Sequence, residues 1–336
     1  MASPAVPKPQ EQPAWGIHNR RMTPPFHACV DIGGTKISVA LADGQSQQSL
    51  QLYGRRTEPT VHAGEPDALA QQIIRMVDAA CLDQGIAPSH MASVGVSSCG
   101  PFVMDGGLLA MSSPNICGGL AGAARGLPNH WTRVPLQAPL AARFARVTIE
   151  NDAVSALQAE RRWGALQGFD HCAYVTWSTG IGVGLCVDGR VLRGKNGNAG
   201  HAGHMFVSDT AAALCGCGNL GDVEGLVAGN AIHRRFGQDA NALLSSSTSE
   251  ATVDALCRDL GRMLYNLVIT LDLQRISLGG SVFWHHQKLL LPKLQAQISG
   301  KLPSLTDGCT LVPAGLGLHV GDFAALALVQ DVEKFS

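Results

Sequence analysis

The fold turns on HACVDIGGTKISVALAD, residues 27–43. Ala28, Val30 and Ile32 alternate with their neighbours before Gly33-Gly34, and Ile37, Val39 and Leu41 alternate after Lys36. A period of two on both sides of a glycine pair predicts a β-hairpin. Asp31 stands at its entry, and the run to Lys36 sets bare backbone N–H groups, the Thr35 hydroxyl and one cation around that carboxylate. Such a turn suits phosphate oxygens, with Asp31 placed for a magnesium ion or its water shell. A hairpin without function has the same pattern, so the turn alone leaves both readings open. The strand that follows excludes a dinucleotide fingerprint and a Walker loop, because each must open a helix.

A second unit repeats this logic. Ala173–Thr176 reads as a strand, Ser178-Thr179-Gly180-Ile181-Gly182-Val183-Gly184 as a glycine turn, and Leu185–Val187 as a returning strand. Two strand–glycine turn–strand units suggest an internal duplication with one phosphate arm in each half. Ahead of the second unit, Val147–Ile149 reads as a strand that ends at Glu150-Asn151-Asp152 and runs into a helix over 153–163. Ligands of α/β proteins gather at carboxyl ends of strands, although Asn151 or Asp152 equally suits a helix cap. Leu69, Ile73, Ile74, Val77 and Leu82 recur at helical spacing and predict a helix over 67–84 that packs on the sheet. A strand over 93–97 leads to Ser98-Cys99-Gly100-Pro101, and Ser113–Gly119 is a loop centred on Asn115. A long helix over 251–272 delivers the strand Arg275–Leu278 to Gly279-Gly280, and a last helix spans 322–334.

Between Gly200 and Glu224 the chain gathers imidazoles, thiols and carboxylates among glycines. His204, Cys215, Cys217 and Asp222 form a candidate tetrahedral zinc set, since imidazole and thiolate are zinc's usual ligands and a carboxylate can complete them. The alternative is a buried turn with inert thiols.

The 336 residues suggest about two domains. Apolar residues make up 46% and charged ones 15%, a composition that predicts a globular chain rather than disorder. With 25 basic side chains against 26 acids and no basic run interleaved with aromatics, nucleic acid is not an expected partner. Irregularly spaced cysteines and the lack of a secretory pattern point to reduced thiols in the cytoplasm. No apolar run reaches the roughly 18–20 residues of a membrane helix. Residues 1–26, punctuated by Pro4, Pro7, Pro9, Pro13, Pro24 and Pro25, read as a flexible extension, with Met22 an alternative start of the natural protein.

The runs Asp31–Lys36, Glu150-Asn-Asp-Ala153, Ser178–Gly182, Gly203-His204 with Cys215-Gly-Cys-Gly218 and Glu224, and Leu278–Gly280 resemble, in order, the ROK family of repressors, open reading frames and sugar kinases. The resemblance covers about 27–330. It implies an α/β, two-domain, actin- and hexokinase-like (RNase H-like) ATPase fold with an interdomain cleft. The expected division is an N-terminal domain over 27–149 completed by the C-terminal helix 320–336, and a C-terminal domain over 150–319 with a zinc-binding loop. The resemblance also implies roles. Asp152 would be the catalytic base; Gly100, Asn115, Asn151, His201, His204 and Glu224 would bind the sugar. Asp31, Gly33, Gly34, Thr35, Lys36, Ser178, Thr179, Gly180, Gly182, Gly279 and Gly280 would bind ATP with Mg²⁺. His204, Cys215, Cys217 and Asp222 would hold a structural Zn²⁺.

Two departures bear on function. Family kinases acting on glucose usually carry Glu where this chain has His201, whereas bacterial N-acetylmannosamine kinases resemble it there and in the 114–119 loop, whose Gly118-Gly119 pair would leave room for an N-acetyl group. Asp222 replaces a family Cys, which makes the metal site harder and leaves open that it has lost its metal. The expected reaction is therefore ATP-dependent phosphorylation of N-acetylmannosamine to its 6-phosphate in sialic acid breakdown, with another ROK hexokinase acting on glucose, allose or N-acetylglucosamine as the alternative. A sugar-responsive repressor is disfavoured, because residues 1–26 offer no room for a helix-turn-helix domain. The expected partners are a small sugar and ATP, and the expected assembly is a homodimer.

Overall fold

The computed structural model describes residues 22–120, 126–209, 213–245 and 250–329. Residues 1–21 of the expected 1–26 extension and the end of the last predicted helix lie outside the described residues, while Met22 is buried in the core of the first half, Thr23 N–H donates to Asp43 Oδ2 at 3.1 Å and Phe26 begins the first strand. Among these residues, no helix is long and apolar enough to cross a membrane.

The chain opens with the predicted hairpin. Strands β1 (Phe26–Ile32) and β2 (Lys36–Ala42) are antiparallel, with Ile32 opposite Ile37 across the glycine turn. Strand β3 (Tyr53–Pro59) continues the meander beyond β2, and β4 (Met91–Ser98) joins the other side of β1 in parallel. Three short strands, β5 (Phe102–Asp105), β6 (Leu108–Met111) and β7 (Val134–Pro135), form a separate small sheet. Strand β8 (Val147–Asn151) returns to β4, which makes the main sheet order β3-β2-β1-β4-β8. The second half repeats that order. Strands β9 (Cys172–Trp177), β10 (Ile181–Val187), β11 (Arg190–Val191), β12 (Arg275–Gly279) and β13 (Thr310–Pro313) assemble as β11-β10-β9-β12-β13. Each half is thus an antiparallel meander extended by two parallel strands, the actin- and hexokinase-like arrangement.

Helix Ala68–Asp83 buries Leu69, Ile73, Met76 and Val77 under the first sheet. Each such side chain contributes about 1.5–3 kcal/mol relative to exposure. Leu82, expected on the same face, is instead 70% exposed. At 3.6 residues per turn, Leu82 lies about half a turn around the helix from Ile73, on the face turned away from the sheet, while its neighbours Ala80 and Cys81 stay buried. Helix Glu250–Leu271 covers the second sheet with Leu256, Leu260, Met263, Leu264, Leu267 and Val268.

Two further helices cross between the halves. Asp152–Trp163 follows β8, yet Ala153, Ala156 and Leu157 pack with Cys172, Tyr174 and Cys186 of the second sheet. Val320–Leu328 follows β13, yet it presses on β4 so closely that a Cβ on Gly95 would lie 2.5 Å from the Ala325 carbonyl. The two helices also pack together, Ala159 lying in one cluster with Phe323 and Leu326. Glu160, buried between them and the second sheet, accepts from the N–H groups of Ala165 (2.8 Å), Gly315 (2.9 Å) and Leu316 (2.9 Å) and from Ser277 Oγ (3.1 Å). Four donors offset the desolvation of that carboxylate.

Candidate functional site

The glycine turn after β1 closes on itself: Gly33 N–H donates to the Lys36 carbonyl at 2.9 Å, while Thr35 and Lys36 stay exposed. A Cβ placed on Gly34 would lie 2.9 Å from Asn115 Cβ, so the phosphate-type turn and the 113–119 loop touch. Asp31 sits on β1 opposite Ser38. Burial pushes its carboxyl up to about 7, Asp152 and Asp322 push the same way, and Lys36 and Arg55 oppose them.

At the carboxyl end of β8, Asn151 caps helix Asp152–Trp163. Its Oδ1 accepts from Ala153 N–H at 3.0 Å, which satisfies a donor the helix leaves open. Asp152 Oδ1 accepts from the same N–H at 2.8 Å. The capping reading holds for Asn151, and the cap engages Oδ1 while leaving its amide nitrogen for other partners. Solvent reaches the Asp152 side chain although protein packs around its carboxylate. That surrounding burial raises its pKa, with the Ala153 N–H and His201 acting against the rise. A Cβ on Gly100 would lie 3.2 Å from His201 Nε2 and 3.4 Å from Asn151 Nδ2, so these three residues meet at one point.

The second glycine turn joins the metal-type loop. Ser178 N–H donates to the Gly180 carbonyl at 3.1 Å, and Ile181 N–H donates to Glu224 Oε2 at 3.0 Å. Ser178 Oγ lies 3.2 Å from Ser281 Oγ, which brings the turn beside Gly279-Gly280; Thr179 is exposed. Gly182 is placed differently, since a Cβ there would meet Ala153 Cβ at 3.1 Å and so press on the start of the helix that carries Asp152.

His204 Nδ1 lies 3.2 Å from Asp222 Oδ2, 3.7 Å from Cys215 Sγ and 3.5 Å from Cys217 Sγ. All four candidate ligand atoms fall within 4.8 Å of one another. Asp222 divides its carboxylate, Oδ1 accepting from Gly225 N–H at 2.7 Å as a helix cap while Oδ2 faces the thiols. The donor set and its spacing fit one tetrahedral cation held through His204 Nδ1. The His201 and His204 rings stack with centroids 6.3 Å apart.

One expectation needs a different physical reason. Gly118 and Gly119 face the chain itself, since Cβ atoms there would lie 2.0 Å from the Asn129 carbonyl and 2.6 Å from that of His130. The pair is spent on backbone packing rather than on ligand space. Sequence reasoning also passed over Asn198, whose side-chain amide bonds the backbone of Phe102, 96 residues away.

A sequence profile described as the ROK family matches residues 27–332. The chain is 32% identical over 267 residues to an N-acetylmannosamine kinase of Escherichia coli O139:H28, covering 75% of this chain and 82% of that one. It is 29% identical over 315 residues to an N-acetylmannosamine kinase of Haemophilus influenzae, covering 90% and 95%. Among solved structures, the ROK hexokinase from Thermus thermophilus superposes with a TM-score of 0.70 at 28% identity, covering 90% of this chain and 97% of that one.

Proposed function

The chain belongs to the ROK family, and from that premise we propose that it phosphorylates N-acetylmannosamine on its 6-hydroxyl with ATP, a step of sialic acid breakdown. One observation carries the choice of sugar: His201 stands where glucose-type members resembling this chain carry Glu, and its Nε2 converges with Asn151 Nδ2 beside the bare backbone of Gly100. An acceptor and a donor on either side of one point suit a group that both donates and accepts, such as a hydroxyl or a secondary amide.

Phosphoryl transfer asks for little covalent help. It needs the acceptor oxygen in line and the developing charge neutralised. In this reading Asn115, Asn151, His201, His204 and Glu224 orient the sugar, and Asp152 receives the hydroxyl proton. A raised pKa suits that role, because a base closer to neutrality gains most from the transfer. The turns at Gly33–Lys36 and Ser178–Gly182 would hold the phosphates from two sides, with Gly279 and Gly280 near the nucleotide. Magnesium, when bound with ATP, neutralises charge on the transferring group. Asp31 fits it, since a carboxyl pushed up by burial, and further by Asp152 and Asp322, is one that a divalent cation would restore to the ionised form.

His204, Cys215, Cys217 and Asp222 would hold zinc in a structural role, because four protein ligands leave no open position for activating water. That cation would fix the loop from which His201 and Glu224 reach the cleft. A homodimer in the cytoplasm is part of the same reading.

The test is a coupled assay of ATP consumption against N-acetylmannosamine, N-acetylglucosamine, glucose, mannose and allose. The highest kcat/KM is expected for N-acetylmannosamine. A preference for glucose would overturn the choice of sugar, and no turnover of any sugar would overturn the kinase reading.

A further inference from the structure

We propose that Asn198 is a positioning residue that sets which face of His201 meets the sugar. The inference rests on the reading of His201 as a sugar contact. Asn198 treats Phe102 as a strand treats its neighbour: Oδ1 accepts from Phe102 N–H at 2.8 Å, and Nδ2 donates to the Phe102 carbonyl at 2.7 Å. That pair of hydrogen bonds fixes the amide's orientation, because a flip would set oxygen against oxygen and N–H against N–H. Phe102 is buried in the first core cluster, two residues beyond Gly100. Asn198 therefore ties the turn at 100–102, from the first half of the chain, to the loop of the second half that carries His201.

The main chain of Asn198 completes the device. Its carbonyl lies 2.9 Å from His201 Nδ1, and a carbonyl can only accept, so Nδ1 carries the proton. In its neutral form the ring then presents a lone pair at Nε2, which together with the Asn151 amide borders Gly100. The other tautomer would aim an N–H at the amide's N–H₂ donors and leave no acceptor for the ligand. Asn198 thus delivers His201 as an acceptor at the point where Gly100 leaves space, and this polarity selects a sugar group with a hydrogen to give, such as the N–H of an N-acetyl group.

The test uses the full chain and two variants, Asn198→Ala and Asn198→Asp. In the ligand-free protein, long-range ¹H–¹⁵N spectra of the histidine rings, with the His201 signals identified by their loss in His201→Ala, should show the Nδ1–H tautomer in wild type and a tautomer mixture in Asn198→Ala. In kinetics, Asn198→Ala should raise KM for the sugar by about 10-fold, with kcat and KM for ATP within about 2-fold. Asn198→Asp gives a signature that loosened packing would not. Its protonated carboxyl can pair with Phe102 as the amide does, so the sugar KM should approach wild type at low pH and climb as that carboxyl ionises, a step that is absent from the wild-type profile. An Nε2–H tautomer in wild type, or an unchanged sugar KM in Asn198→Ala, would overturn the proposal. If no sugar is phosphorylated, the proposed function fails, while the ring spectra still decide the positioning claim.

Discussion

Glu224 Oε2 accepts the Ile181 N–H at 3.0 Å, so the carboxylate expected on the sugar is anchored at the exit of the turn expected to hold phosphate. A Cβ on Gly180 would lie 2.9 Å from the same oxygen, and Cys215 Sγ lies 3.7 Å from the other one. Glu224 thereby links three parts of the site. Glu224→Ala should raise KM for sugar and ATP together, whereas Glu224→Gln, which keeps an oxygen for Ile181, should act mainly on the sugar. Steady-state kinetics with each substrate varied in turn would show this, and an effect of Glu224→Ala on sugar alone would refute the link.

Asp152→Asn retains an oxygen for the Ala153 N–H and should preserve the fold and sugar binding. Turnover should fall by about 10² to 10⁴, the usual contribution of a positioned base. Near wild-type kcat with intact saturation kinetics would remove Asp152 from the base role.

Adjacent glycines should behave differently. A Cβ on Gly33 meets only the Lys36 carbonyl at 3.2 Å, while one on Gly34 meets Asn115 Cβ at 2.9 Å. Gly33→Ala should weaken ATP binding and spare the sugar; Gly34→Ala should weaken both. Calorimetric titration of each ligand separates the two cases, and identical profiles for the variants would reject the distinction.

Asp31 predicts a pH dependence of stability. Its carboxyl rises from 3.8 to about 7, so between those values the folded protein holds a proton that the unfolded chain has released. Its contribution to stability is complete below the lower value and is lost as pH rises through the upper one. Asp31→Asn should match wild type near pH 4, exceed it at pH 8, and lose activity. Millimolar magnesium should raise the wild-type Tm at pH 8 and leave that of the variant unchanged. Melting curves across this range decide it; a variant less stable than wild type at pH 8 would contradict the assigned environment.

Protein purified without chelator or added zinc should contain about one zinc per chain by mass spectrometry. Stripping it should lower Tm and raise the sugar KM without abolishing turnover, and Asp222→Cys should slow metal loss to chelator, since thiolate is the softer ligand. A zinc content near zero would mean that hydrogen bonds alone hold the loop.

The hairpins, the helices over 68–83 and 250–271 and the duplicated plan were legible because alternation and helical spacing are local signals, written in neighbouring residues. The small sheet of β5, β6 and β7 was not, since four-residue and two-residue strands hold too few positions to show a period. Composition also misled at Gly118-Gly119, where small residues answer to a backbone crossing rather than to a ligand. Asn198 escaped for a related reason. Its partners are main-chain atoms of Phe102, and any residue but proline at that position would offer the same N–H and carbonyl. Hence no residue type in the sequence announces the contact.

The crossed helices set an order on biosynthesis. As the chain leaves the ribosome, β1 to β8 emerge complete, but the face of their sheet that carries Cys29 and Gly95, partly covered by Leu50, Leu52, Ala159 and Trp163, lacks its closing helix until Val320–Leu328 is made. Nascent protein must therefore carry that apolar surface while residues 164–319 are made, exposed to chaperones and to aggregation until Val320–Leu328 seals it.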